Sequence, residues 1–505
     1  MLASVATFAL EGVEGREVTV EVDVRTGLPA FTVVGLPDAA VREARERVRA
    51  ALLNSGFEFP LKRLTANLAP ADVRKAGPSF DLALAVAVLA ASGQLAASDL
   101  NRYAVCGELS LGGALRPVRG ALAVAAGAEA AGFERLIVPI ENAAEAALAA
   151  GIEVLGVENL VRLVEALRGN WNPAAARRMH AAPQATGGPD LSDVRGQEDA
   201  RRALELAAAG AHNLLMIGVP GVGKTLMARC LPGILPPPAG DEVLEITRVQ
   251  SVAGVGLTGQ LPTRPFRAPH HTISAQGLVG GGATPRAGEI TLAHRGVLFL
   301  DELGEFSRVA LDALRQPLED GRVSITRGQR TLVFPAAAML VAACNPCPCG
   351  RAGQACQCGE AERVRYARRL NLPLLDRIDL VCAVAPTLPS LVGEQGRPAS
   401  ESSDAVRERV VAARERQRAR LADGSTATNA GMCVRQTRSL VRLTPSARNR
   451  LEAAERSGAL SGRGHDRVLR VARTIADLDG RDRVGPSAID EALGYRLQWR
   501  DGLAA

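Results

Sequence analysis

From Glu17 to Val24 apolar and polar residues alternate without a break, and a period of two predicts a strand with one buried face. Val41 to Ser55 switches to helical spacing and stops at Gly56, an amphipathic helix with a glycine end. Leu82 to Ala91 is apolar throughout and bounded by Asp81 and Ser92-Gly93, which predicts a helix buried on all sides. Leu214–Ile217, Gly296–Leu300 and Met339–Cys344 are short apolar runs without alternation, the pattern of parallel strands covered on both faces. Val323 to Phe334 alternates around Arg327-Gly-Gln-Arg330, a hairpin with a cationic tip. Residues 169–190 and 386–403 are rich in Pro, Gly and small residues, without apolar period, and read as linkers. They divide the chain into an α/β region over 1–168, a second α/β region over 191–385 and a helical tail over 404–505. In the tail Thr444-Pro445 opens one helix, Gly458 closes it, and Gly485-Pro486-Ser487 opens the last.

Composition narrows this picture. A chain of 505 residues is too long for one core and is multidomain. Apolar residues make up 47% and aromatics only 3%, so the cores are built from Ala, Val and Leu. The net charge of +6 is uneven: residues 404–505 hold 20 Arg against 13 Asp and Glu. This bias suits a nucleic-acid partner and equally a solvated Arg-rich helix surface. No apolar run is long enough for a membrane span, and Met1-Leu-Ala-Ser-Val lacks the basic region of a signal peptide, so the expected location is cytoplasmic.

The densest chemistry lies in Gly218-Val-Pro-Gly221-Val-Gly223-Lys224-Thr225, between a strand and a helix. That order is the one a phosphate-binding loop requires. Gly218, Gly221 and Gly223 let backbone N–H groups close around phosphate oxygens, with the helix N-terminus adding positive potential. Lys224 is placed for the β/γ-phosphates of ATP and Thr225 for Mg²⁺. Only three lysines occur in the chain, Lys62, Lys75 and Lys224, and one stands where a guanidinium would crowd the loop. The strand ending at Leu300 delivers Asp301, to hold Mg²⁺ through water, and Glu302, to polarise the attacking water. The strand ending at Cys344 delivers Asn345, a neutral donor able to orient that water.

Four of the nine cysteines form Cys347-Pro-Cys349 and Cys356-Gln-Cys358, two residues beyond Asn345. Gly350 and Gly353 in the spacer allow both pairs to fold onto one ion, a closed structural Zn²⁺ site; reduced thiols without metal are the alternative. A knuckle there would stiffen the loop that carries Asn345 or a subunit contact beside it.

Taken together, several long motifs in order resemble the Mg-chelatase-like AAA+ ATPases of the ComM/YifB type. They are Asp193-Val-Arg-Gly-Gln-Glu198, Arg264-Pro-Phe-Arg-Ala-Pro-His-His-Thr272, Gly280-Gly-Gly282, Pro285-Arg-Ala-Gly-Glu289, Leu298-Phe-Leu-Asp-Glu-Leu303, Asn345-Pro-Cys-Pro-Cys-Gly350 and Leu374-Leu-Asp-Arg-Ile-Asp379. The resemblance implies a Lon-protease-like first domain (ribosomal protein S5 domain 2-like), an AAA+ core and an α-helical lid, assembled as a homo-hexamer. It implies ATP-driven DNA unwinding or branch migration in recombination of incoming DNA during natural transformation. By the same resemblance Arg377 is an arginine finger toward a neighbouring subunit, where spacing alone reads it as a surface arginine beside Asp376 and Asp379. Arg467 resembles a sensor-2 arginine, with Arg470 and Arg473 close enough to compete. Asn371-Leu372 before Pro373 depart from the family's Ser-Gly and put the loop carrying Arg377 in question.

Ser79, in Gly77-Pro-Ser-Phe-Asp-Leu82, falls where Lon-type proteases have their nucleophile. Such a serine needs a lysine base, and Leu122 stands in its place, with Lys75 on the wrong segment. The first domain is therefore read as structural or docking. Contacts to single-stranded or branched DNA are expected from Arg327 and Arg330 on the hairpin, then from Arg264, Arg267, His270 and His271; the competing reading for both groups is subunit packing. Scarce aromatics favour backbone tracking over base stacking. The rival functions are the ATPase subunit of a metal-inserting chelatase, acting with partner subunits, and a non-catalytic scaffold.

Overall fold

Val18, Val20 and Val22 are fully buried while Glu17, Thr19, Glu21 and Asp23 between them are not, so the period-two reading sets the face of the strand Glu14–Arg25. This strand belongs to the computed structural model of the chain, which describes residues 1–505 apart from 150, 177–187, 256–262, 283–284, 328–329, 352–355, 371, 387–399, 423–426, 459 and 503–505. The side chains of 97–99, 327, 330, 368, 372–373 and 497–502 are also outside the description. The chain packs as two units. One comprises Met1–Pro183, Gly240–Pro262 and Gly328–Val333; the other comprises Gln184–Ala239, Thr263–Arg327 and Phe334–Ala505.

The first unit is built on a mixed seven-stranded sheet. Its order is Ala30–Val34, Arg63–Ala69, Glu14–Arg25, Leu2–Glu11, Tyr103–Val105, Arg135–Pro139 and Glu153–Val157. The long antiparallel pair at its centre runs from Leu2 opposite Asp23 to Glu11 opposite Glu14. Helix Ala39–Asn54 is capped by the Asp38 carboxylate, which accepts from Val41 N at 2.9 Å, and buries Val41, Ala44, Val48, Ala51 and Leu52. Helix Asp81–Ala91 is buried at every residue, as an Ala/Val/Leu sequence without a polar face must be. Its first residue, Asp81, accepts from Arg47 Nε at 2.7 Å and Nη2 at 2.9 Å. Burial raises the Asp81 carboxyl above its ordinary range in spite of that guanidinium.

Residues 240–262 lie inside the region that the linkers delimit as 191–385, yet they pack with the first unit. Helix Asp241–Ala253 runs against helix Ala121–Ala130, and Gly120 N donates to the Ser251 carbonyl at 3.3 Å. Its apolar residues Val243, Ile246 and Val249 are buried there.

The second unit holds a five-stranded parallel sheet, ordered Phe266–Arg267, Val297–Leu300, Met339–Cys344, Leu214–Ile217 and Leu380–Ala383. The three apolar runs without alternation are thus its three middle strands, and every residue of each is buried. Helices Ser403–Arg420, Gly462–Leu478 and Pro486–Gly502 share one hydrophobic cluster with this sheet, so the tail is part of the second unit. Thr444 caps helix Pro445–Arg456 and Gly458 follows its end with φ +70°. Arg322–Arg327 and Arg330–Pro335 form a two-stranded sheet; the side chains of Arg327 and Arg330 at its tip are outside the described ones. Among the described residues no helix is long and apolar enough to cross a membrane.

Candidate nucleotide site and cysteine cluster

Register brings the site together. Ile217 pairs with Cys344 and Leu300 with Ala342, so Gly218, Asn345 and Asp301 leave the same edge of three adjacent strands. Open α/β sheets place ligands outside such carboxyl ends. The loop after Ile217 needs its glycines for two separate reasons. At Gly218 a Cβ would meet the Val384 carbonyl oxygen at 2.6 Å, so the strand could not pass its neighbour. Gly221 and Gly223 instead have φ +85° and +88°, left-handed backbone that turns N–H groups inward.

A cavity of about 350 Å³ opens there, lined by Pro220, Gly221, Gly223, Lys224, Thr225, Asp301, Glu302, Ala343, Cys344 and Asn345. Lys224, the first residue of helix Lys224–Ile234, is 8% exposed. Its Nζ donates to the carbonyls of Gly218 at 2.5 Å and Val219 at 3.0 Å and to Asn345 Oδ1 at 3.3 Å. Burial holds this ammonium below its ordinary range, while Cys344, Asp301 and Glu302 pull the other way. An anion in the cavity would relieve that desolvation. Thr225 Oγ1 donates to Asp301 Oδ2 at 2.6 Å, and Asp301 Oδ1 accepts from Glu302 N at 3.0 Å. Two hard oxygen donors side by side at a phosphate loop fit Mg²⁺.

Glu302 has φ +53°, left-handed without being glycine, a conformation that costs on the order of 1–3 kcal/mol and concentrates at functional sites. Its carboxylate is 59% exposed and lies 3.6 Å from His271 Nδ1. The His271 ring lies tilted against His270 at 4.1 Å between centroids and meets Phe306 edge-on. Sequence reading placed these histidines with a polymer contact and had no signal for proximity to Glu302.

The three arginines of helix Gly462–Leu478 separate. Arg470 Nη1 donates to the carbonyls of Ala430 and Met432, and Arg473 to Asp477 Oδ1 and the carbonyls of Arg481 and Asp482. Arg467 is 8% exposed, its Nε lies 3.4 Å from Asp379 Oδ1, and its buried Nη1 has no hydrogen-bond partner among the described residues. Burial pushes its guanidinium down to about 10. Asp379 also faces His212 Nδ1 at 3.2 Å, and His212 Nε2 lies 2.8 Å from Thr474 Oγ1. Neither Asp376 nor Asp379 takes Arg377 in any described ion pair; its Nη2 is bound by Glu319. Arg267 is held in a bidentate pair with Glu289 at 2.6 and 2.8 Å, and Arg264 donates to the carbonyls of Pro236 and Arg295. Both guanidiniums thus have partners within the second unit.

Cys347, Cys349, Cys356 and Cys358 bring their sulfurs within 4.8 Å of one another. Three separations are 3.3, 3.5 and 3.8 Å. A tetrahedral zinc–thiolate site has sulfurs about 3.8 Å apart, so the donor set fits that ion. Backbone hydrogen bonds from Gln357 and then Arg351 lower the Cys349 thiol to about 6, whereas burial pushes Cys347 up to about 12. Ser79 lies in the turn Pro78–Phe80. Leu122 is buried in helix Ala121–Ala130, and the fully buried Lys75 turns its Nζ to the Pro70 carbonyl.

A parallel sheet whose central strand feeds a glycine loop, with a lysine and two acidic strand-end residues around one cavity, defines a P-loop nucleotide-binding protein of the Mg-chelatase type. Residues 190–390 match the model for magnesium chelatase, subunit ChlI; residues 20–142 match subunit ChlI of Mg-chelatase; residues 400–496 match its C-terminal region. The chain is 44% identical to uncharacterized protein YifB of Salmonella typhimurium over 98% of this chain and 97% of that one. It is 45% identical to uncharacterized protein Rv2897c of Mycobacterium tuberculosis over 97% of each, and 43% identical to competence protein ComM of Haemophilus influenzae over 99% of this chain and 98% of that one. The chain belongs to this family, as a ComM/YifB-type Mg-chelatase-like protein.

Proposed function

We propose that the chain is an ATP-hydrolysing motor that acts on DNA as a cytoplasmic homo-hexamer and serves recombination of incoming DNA in natural transformation. The observation that carries this reading is the meeting of Lys224, Thr225, Asp301, Glu302 and Asn345 around one cavity, in a chain similar over its whole length to a competence protein. In this reading the first unit is Lon-protease-like without peptidase activity, the parallel sheet is an AAA+ core and the C-terminal helices are its lid. Lys224 exchanges its carbonyl partners for β/γ-phosphate oxygens. Thr225 and Asp301 hold Mg²⁺, which supplies charge neutralisation on the transferring phosphoryl group. Glu302 accepts the proton of the attacking water, and Asn345 orients that water through its amide. Arg467, whose buried Nη1 has no hydrogen-bond partner among the described residues, is the sensor that reaches nucleotide, and Arg377 acts on a neighbouring subunit. Arg327 and Arg330 track the DNA backbone, with Arg264 and Arg267 as secondary contacts. Zn²⁺ on the four cysteines supplies a crosslink of the loop after Asn345 and no chemistry.

The second reading, an ATPase subunit serving a metal-inserting chelatase, is favoured by the family model over residues 190–390. ATP turnover of the purified chain, with and without single-stranded and branched DNA, separates the two. Stimulation by DNA is expected. Turnover indifferent to DNA, raised instead by chelatase partner subunits, would overturn the motor reading.

A further inference from the structure

The cysteine cluster and the phosphate cavity share a wall. Gly350 follows Cys349 and lies against the phosphate loop, where a Cβ built on it would meet Pro220 Cγ at 2.9 Å and Cδ at 3.1 Å. Its backbone is left-handed, φ +73°, and its N–H donates to the Cys347 carbonyl at 3.0 Å. At the start of the same loop Asn345 accepts from Lys224 at 3.3 Å. The segment leaving the cluster returns to the site. In helix Glu360–Arg369, Tyr366 is 7% exposed, and its hydroxyl donates to the Asn345 carbonyl at 3.0 Å. The Tyr366 ring packs on Gly304, where a Cβ would sit 2.8 Å from Cε2. Gly304 lies in the turn that follows Glu302. The chain through the four cysteines thus touches the phosphate loop, the Asn345 strand end and the Glu302 turn.

We propose that the metal held by Cys347, Cys349, Cys356 and Cys358 and the nucleotide held at Lys224 are coupled ligands, each tightening the other through Gly350 on Pro220 and Tyr366 on Asn345. This rests on the zinc reading of the cysteines. Four thiolates on one ion restrict the loop to the geometry that presents Pro220 and Asn345 to the cavity. A nucleotide that selects the same geometry stabilises the metal by the same factor, because coupling between two sites is reciprocal.

The zinc affinity of the full chain is measured by competition with a chromophoric chelator, with and without a saturating non-hydrolysable ATP analogue and magnesium. Zinc is expected to bind about fivefold or more tighter with the analogue, and metal-stripped protein to bind the analogue more weakly by the same factor. Lys224→Ala abolishes the effect of the analogue on zinc. Tyr366→Phe keeps the ring on Gly304 but loses the hydroxyl, so zinc content holds while the coupling factor falls toward one. Equal zinc affinity with and without saturating analogue, in protein carrying one zinc per chain, overturns the coupling and leaves the zinc site standing. Protein that takes up no zinc overturns both. Undiminished coupling in Tyr366→Phe overturns the part assigned to that residue.

Discussion

Lys75 and Lys224 are two of the chain's three lysines, both are buried, and both point their ammonium at backbone carbonyls. Lys75 is fully buried in the first unit, where its backbone bridges to Pro37 and its ammonium meets the Pro70 carbonyl. Lys224 sits in the wall of a cavity, among Asp301, Glu302 and Asn345. The first unit spends its buried charges on itself, as Arg47 does on Asp81. The second unit also pairs buried charges internally, as Arg473 does with Asp477, but around its cavity it sets Lys224, Asp301 and Glu302 beside one another. A buried charge signals function only when its partners are exchangeable, and exchangeability is a property of the surrounding packing.

The sharpest break in that comparison is Lys224→Ala. ATP turnover should fall by about 10³-fold or more, with the thermal unfolding midpoint nearly unchanged. Turnover within tenfold of the parent, by phosphate release, would place the nucleotide elsewhere. Glu302→Gln should slow hydrolysis by roughly 10²-fold or more while nucleotide affinity, read by fluorescent-analogue titration, is kept. Arg467→Ala should cost on the order of 10²-fold in turnover; if only the melting temperature moves, Arg467 is a structural partner of Asp379. On the other side, Asp81→Ala leaves Arg47 without its carboxylate and should destabilise the first unit by about 3 kcal/mol in denaturant unfolding, with nucleotide affinity intact. The smallest effect belongs to Ser79→Ala, expected within about 0.5 kcal/mol of the parent and without change in turnover. Loss of a proteolytic activity in that variant would contradict the reading of the first unit as structural.

The candidate site was legible because its parts are local. Gly218 to Thr225 is one continuous segment, and Asp301, Glu302 and Asn345 each follow directly on an apolar run whose end can be read from hydrophobicity. The hairpin, the capped helices and the apolar helix Asp81–Ala91 were legible for the same reason. The segment Asp241–Ala253 was not, because its apolar spacing says that it packs but not on which unit. His271 beside Glu302 escaped notice because a histidine in an Arg-rich stretch carries no mark of its distant neighbour. The three candidate arginines of helix Gly462–Leu478 differ in sequence only by position, and were separated by which carbonyls and carboxylates happen to lie within reach.

By itself the sequence determined the elements, the glycine loop with Lys224 and Thr225, the residues Asp301, Glu302 and Asn345 at two strand ends, and the cysteine quartet, since each follows from residue type and spacing within a few turns of chain. Only the tertiary structure decided that Gly350 rests on Pro220, that Tyr366 reaches back to Asn345, and that Lys75 is closed off where Lys224 is open. Those facts depend on close approach between segments remote in sequence, and close approach is set by how strands order in a sheet and how side chains fill the space above it.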